Sequence, residues 1–72
     1  MPKLPVLSGA DIVKALERMG FAAVRQRGSH VIMRKGEAGT VVPQHREVKL
    51  GTLAGILRQA QVAADDFLAA LK

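Results

Sequence analysis

The chain has 72 residues, no cysteine and a net charge of +5, which reads as one small domain over residues 1–72 that buries only about 60% of its unfolded surface. Disulfides and a thiolate metal site are excluded, and no apolar run approaches the ~20 residues of a membrane span. The absence of a signal-peptide pattern at the N-terminus points to a cytoplasmic protein.

The charge is unevenly placed. Arg18, Arg25, Arg27, Arg34, Lys35, Arg46 and Lys49 stand against only Glu37 and Glu47 in the centre, while the two ends are balanced. A basic centre suggests a polyanionic partner, nucleic acid first among them. The competing reading is an ordinary solvated surface.

Pro2 and Pro5 keep the first seven residues out of helix. Ser8 then caps a helix in which Asp11 faces the positive end, and Leu7 and Ile12 occupy staple positions. Ile12, Val13, Leu16 and Met19 form its apolar stripe. Gly20 ends it, with Phe21 placed to pack back on Leu16 in a Schellman arrangement.

Beyond Gly20 the period changes to alternation, and strands are expected near 21–27, 30–35 and 40–43. Gly28-Ser29 is a two-residue hairpin signal, since glycine in first position supplies the positive φ of a type II′ turn. That turn sets a register in which Arg27 faces His30, Arg25 faces Ile32 and Ala23 faces Arg34. On the other face Gln26 meets Val31 and Val24 meets Met33. Helices should cover Val24, Val31 and Met33, leaving Arg25, Arg27, His30 and Arg34 toward solvent. A second turn over Gly36-Glu37-Ala38-Gly39 leaves its register open by one residue and puts His30 opposite Gln44 or His45. Pro43 should end regular pairing.

A polar link from Gln44 to Lys49 precedes a second helix carrying Leu50, Leu53, Ile56, Leu57 and Ala60. Gln61 and Val62 read as a break before a short last helix opened by Asp65 and Asp66, with Phe67, Leu68 and Leu71 inward. The order is helix, three antiparallel strands, helix, short helix. It gives an α+β layer with the helices on one sheet face, in the element order of a double-stranded-RNA-binding domain.

Several chemistries fail on inventory. Two histidines and few central carboxylates do not make a metal site, so no metal and no cofactor is expected. The only aromatic residues are Phe21 and Phe67, at positions that read as buried, so base stacking is not the mode of recognition. Neither a phosphate-cradling glycine loop nor a nucleophilic serine constellation is present.

Three segments together carry a resemblance: Arg25-Gln26-Arg27-Gly28-Ser29-His30, then Val42-Pro43-Gln44-His45, then Leu50-Gly51-Thr52-Leu53 leading to Ile56-Leu57-Arg58-Gln59-Ala60. In this order and spacing the chain resembles the HicA family of mRNA interferase toxins, from Ser8 to Leu71. The resemblance implies a double-stranded-RNA-binding-like fold, cleavage of mRNA by the histidine corresponding to His30, and a HicB-type antitoxin that covers the His30 face. Two positions depart from the family pattern. Gln61 stands where a glycine is common, and Ala63 where a capping serine is common.

The resemblance for His30, and the chemistry of the residues for the others, give these expected roles. His30 is the catalytic candidate, because an imidazole can accept or donate a proton near neutral pH; the competing reading is a surface histidine that only binds phosphate. His45 and Ser29 are secondary candidates, for proton transfer, phosphate contact or a loop-packing role in the first case and for orienting His30 or completing the turn with Gly28 in the second. Arg25, Arg27 and Arg34 would hold phosphates without reading bases; Arg46 and Lys49 either extend that track or are only solvated. RNA is the expected target because its 2′-hydroxyl can attack the neighbouring phosphate, whereas no DNA binding by the toxin alone is expected. The alternative function is a noncatalytic RNA-binding module on the same fold, and a purely structural partner protein comes third.

Overall fold

A computed structural model describes residues 3–72; the expectation for Pro2 lies outside them. The elements run α1 (Gly9–Arg18), β1 (Ala22–Arg27), β2 (His30–Lys35), β3 (Ala38–Pro43), α2 (Leu50–Ala60) and α3 (Ala64–Ala70). The three strands form one antiparallel sheet in the order β1-β2-β3. This is the expected α+β arrangement, with a short C-terminal helix added to a helix, three strands and a helix.

Local chemistry sets both ends of α1. The Ser8 hydroxyl accepts the Asp11 amide at 3.1 Å, satisfying one of the four donors that a helix start leaves open. At the other end the Phe21 amide donates to the Leu16 carbonyl and the Gly20 amide to the Glu17 carbonyl, each at 3.0 Å. That pair of bonds is the complete Schellman motif, and it delivers Phe21 into the core at 5% exposure.

Phe21 has a consequence for β1. In an unbroken strand Phe21, Ala23, Arg25 and Arg27 would share a face, because side chains alternate. A core phenylalanine and solvent-seeking arginines cannot do so. The conflict is resolved by a β-bulge between Ala23 and Arg25, which inserts one residue and reverses the alternation. Arg27 faces His30, Arg25 faces Ile32 and Gln26 faces Val31, as the Gly28-Ser29 turn requires. Beyond the bulge Ala23 faces Met33 and Ala22 faces Arg34, which corrects the expected pairings of Ala23 with Arg34 and Val24 with Met33. Val24, expected under the helices, is instead 55% exposed.

The two hairpin turns are built alike. Gly28 has φ +56° and Gly36 φ +59°, and neither Ser29 nor Glu37 has positive φ. A glycine in the left-handed region followed by an ordinary residue is what a two-residue II′ loop needs. The second loop is therefore only Gly36-Glu37; Ala38 and Gly39 pair within β3, opposite Lys35 and Arg34. This shorter loop fixes the register that the sequence left open and places His30 opposite Pro43, not Gln44 or His45. The strand ends at Pro43, as expected.

One face of the sheet carries Val31, Met33, Thr40 and Val42, all buried with Ile12, Leu16, Leu53, Ile56, Leu57 and Phe67 from the helices. Among the described residues Thr40 is the buried polar one; its hydroxyl donates to the Gln59 side-chain oxygen at 3.1 Å, which joins β3 to α2. The link from 44 to 49 is less polar than it reads. Val48 is 1% exposed and bridges to Leu7, its amide donating to the Leu7 carbonyl at 2.7 Å.

Two of the seven central cations serve this framework. The Arg18 guanidinium donates to the Ala70 carbonyl at 2.9 Å, tying α1 to the end of α3. The Lys35 ammonium donates to the Met19 carbonyl at 2.8 Å and lies 6.0 Å from the centre of the Phe21 ring, a cation–π distance. No helix among the described residues is long and apolar enough to cross a membrane.

Candidate functional site

With Arg18 and Lys35 engaged, the remaining central cations are Arg25, Arg27, Arg34, Arg46 and Lys49, and all five are exposed. Three of them lie on the uncovered sheet face. The register arranges this face in rows across the strands: Arg27, His30 and Pro43 in the first, Arg25, Ile32 and Val41 in the second, Arg34 and Gly39 in the third. Neighbouring rows are two residues apart along a strand, or roughly 7 Å.

His30 is exposed at the start of β2. Directly opposite across the ladder is Arg27, and facing residues in an antiparallel pair have Cβ atoms about 4.5–5.5 Å apart. Arg25 is the diagonal neighbour at roughly 7–8 Å. Both guanidinium groups can therefore reach an anion held at the imidazole. Arg34 is two rows away, roughly 13 Å along β2. Its side chain lies beside Gly39: the position of a Cβ there would be 3.6 Å from Arg34 Cγ and 3.7 Å from Nη1. The structure thus brings Arg25 and Arg27 to His30 and sets Arg34 apart.

Ser29 completes the turn with Gly28, and its carbonyl accepts the Gln44 amide at 2.6 Å. This bond extends the contact of the hairpin tip with the β3 exit by one residue past Pro43. His45 comes next, exposed, and its carbonyl accepts the Gly9 amide at 2.9 Å. His45 is therefore held at the same end of the sheet as His30, between the hairpin tip and the N-terminus of α1. Arg46 is exposed beyond it, and Lys49 precedes the first turn of α2 as its N-cap residue. Arg46 and Lys49 belong to this link, not to the rows of the open face.

Gly9 is a positioning residue the sequence reading passed over. A Cβ on it would collide with the Pro43 carbonyl and come within 2.8 Å of the Gln44 Cα. The close approach of α1 to the 43–45 segment therefore needs a residue without a side chain. The available signal was a glycine directly after a capping serine, a place where a helix gains nothing from glycine's flexibility.

Among the described residues no group of three or more His, Asp or Glu side chains could hold a metal ion. A hollow of ≈ 470 Å³ lies between α1 and β1, lined by Val13, Lys14, Val24, Arg25, Gln26 and Gln44 among others, so Arg25 at the bulge borders it as well as the open face. It is on the helix side of the sheet, so it is not the setting of His30.

A small α+β protein with helices on one sheet face, and with a histidine and arginines on the other, is the class defined by this fold and face. The family described as HicA toxin of bacterial toxin–antitoxin systems matches the chain from residue 9 to residue 62. The chain belongs to the HicA toxin family, and it is a toxin of the toxin–antitoxin type. No curated protein matches it.

Proposed function

We propose that this toxin is an endoribonuclease that cleaves mRNA in the cytoplasm and so arrests translation and growth, with His30 as the proton-transfer residue and without a metal or other cofactor. The observation that carries this reading is the row Arg27–His30, with Arg25 diagonal to it, on an uncovered face.

In the reaction the 2′-oxygen of the substrate attacks the adjacent phosphorus, the bond from phosphorus to the 5′-oxygen breaks, and the products end in a 2′,3′-cyclic phosphate and a 5′-hydroxyl. His30 takes the 2′-hydroxyl proton or supplies a proton to the departing 5′-oxygen. Arg27 and Arg25 neutralise the charge that grows on the phosphoryl oxygens. His45, on the segment beside the hairpin tip, is the candidate for the second proton transfer or for a phosphate contact, and Ser29 for orienting His30. Arg34, Arg46 and Lys49 hold flanking phosphates. DNA lacks the attacking hydroxyl and is not a substrate. The inhibitory partner is a HicB-type antitoxin that covers the His30 face.

The test is RNA cleavage by purified wild-type and His30→Ala proteins, with a chelator present and the product ends identified. His30→Ala should lose about 10²- to 10⁴-fold in rate, the usual contribution of one acid–base residue, while keeping its thermal stability because the side chain is exposed. Cleavage at the parent rate would remove His30 from the mechanism. RNA binding without cleavage by the wild-type protein would leave the noncatalytic RNA-binding module as the function.

A further inference from the structure

The proposed reaction makes no use of the hollow between α1 and β1. At ≈ 470 Å³ it is within the range of about 300–1,000 Å³ found for small-ligand sites. Val13, Val24 and Val31 give it apolar walls, and Gln26 and Gln44 supply neutral polar groups. Lys14 and Glu17 of α1 also line it, and a carboxylate there repels a phosphate. The occupant that suits this lining is uncharged, with apolar faces and a hydrogen-bonding edge.

The two glutamines are held by backbone carbonyls around the first hairpin. Gln26 Nε2 donates to the Gly28 carbonyl at 3.1 Å and Gln44 Nε2 to the Val42 carbonyl at 3.3 Å. Both bonds use the amide nitrogen, which leaves the carboxamide oxygens as acceptors. The Gln44 backbone is tied to the hairpin tip as well, its amide donating to the Ser29 carbonyl at 2.6 Å. Two positioned acceptors favour a ligand edge that donates. Continuity with the open face identifies that ligand. β1 is an outer strand, exposed along its whole length, and Arg25 borders both the hollow and the open face. An RNA strand with a phosphate on Arg25 and Arg27 therefore lies at this edge, where one base can turn across β1 to the helix side. An unpaired base is uncharged, and apolar side chains can flank it while hydrogen bonds read its edge.

We propose that the α1–β1 hollow is a base-binding subsite for RNA held on the open face, in which Gln26 and Gln44 accept hydrogen bonds from the exocyclic amino group of cytosine, adenine or guanine. Uracil is disfavoured, because it carries an oxygen where cytosine carries the amino group. This rests on reading the open face as the RNA-binding face of a nuclease. It adds a base preference to a row of arginines that holds phosphates without one.

The experiment measures affinity for oligocytidine and oligouridine of equal length at neutral pH, in the wild-type protein and in Gln26→Met/Gln44→Met. The two RNAs carry the same phosphates, and methionine nearly keeps the length of glutamine without its carboxamide. Wild-type protein should bind oligocytidine about three- to tenfold more tightly, the effect of one or two hydrogen bonds. The variant should bring the two RNAs within about twofold of each other, with affinity for oligouridine unchanged. Gln26→Met alone, at an exposed position, should narrow the preference and serves where the double variant does not fold. Equal wild-type affinity for the two RNAs overturns the proposal, as does a preference that survives in the variants. An equal loss for both RNAs also overturns it, leaving the glutamines as supports of the hairpin. If the wild-type protein binds RNA without cutting it, the nuclease reading fails, and a preference abolished by the variants still supports the subsite.

Discussion

The two faces of the three-stranded sheet are made from the same strands and answer to different demands. On the covered face Met33 and Val42 are fully buried, and their identity is set by packing. On the open face His30, Arg25 and Arg27 are exposed, and packing places no demand on them. The residues fixed by packing therefore lie on one side of β2 and the proposed functional residues on the other, although adjacent residues of a single strand supply both.

The comparison is broken most forcefully at Met33. Met33→Ala should cost about 2–5 kcal/mol, against a total of about 4–11 kcal/mol expected for a chain of this length. Unfolding in denaturant should reveal the loss, and RNA binding should disappear only in proportion to the unfolded fraction. Loss of binding by a fully folded Met33→Ala protein would mean that the covered face contributes directly to function.

How far this division was legible in the sequence depends on the range of the interactions that create it. The ends of α1 were legible because Ser8, Gly20 and Phe21 act within one turn. The tip of the first hairpin was legible for the same reason, and with it the pairing of Arg27 with His30. The bulge at Val24 was not. It arises because Phe21 must reach helices contributed by distant segments, and strand alternation alone carries no trace of that demand. The reversed parity can nevertheless be read afterwards, since Phe21 and Arg25 are four residues apart and need opposite faces. Val48 escaped notice because a single apolar residue in a polar link has no period. The second register stayed open because two glycines, Gly36 and Gly39, could each have made the turn; the ladder extends to Ala38, so only Gly36 does. At the site, the basic open face was legible from alternation. The separation of Arg34 from His30 by the Ile32–Val41 row follows only from the completed register.

A finer test compares two cations of equal charge on opposite faces. Arg25 lies on the open face, while Lys35 is occupied by the Met19 carbonyl and the Phe21 ring. Each phosphate contact with a single strand contributes about 0.7 to the slope of log affinity against log salt. Arg25→Ala should lower that slope by about 0.7, measured by RNA titration at several salt concentrations. Lys35→Ala should leave it unchanged and cost stability of about 1 kcal/mol through the lost cation–π contact and hydrogen bond. Equal changes in slope would show that RNA responds to net charge alone and not to the open face.

The smallest effects are expected at the junction of α2 and α3, where the helix ends repeat the logic of α1 with less suitable residues. At the end of α2 the Val62 amide donates to the Leu57 carbonyl at 2.9 Å and the Gln61 amide to the Arg58 carbonyl at 3.2 Å, the same bond pair that closes α1. The left-handed position, with φ 59° and ψ 41°, is held by Gln61, where a side chain costs roughly 1 kcal/mol relative to glycine. Ala63 then occupies the N-cap of α3 with extended φ −72° and ψ 142° but no oxygen to offer. A serine there should contribute about 1 kcal/mol. Gln61→Gly and Ala63→Ser should each raise the melting temperature by about 4–8 °C, the shift that 1 kcal/mol produces in a domain of this size. Both positions lie outside the rows of the open face, so RNA affinity and cleavage should not change. A stabilised double variant with altered RNA affinity would show that the α2–α3 junction and the open face are energetically coupled, and that the division between a stabilising side and a functional side does not hold.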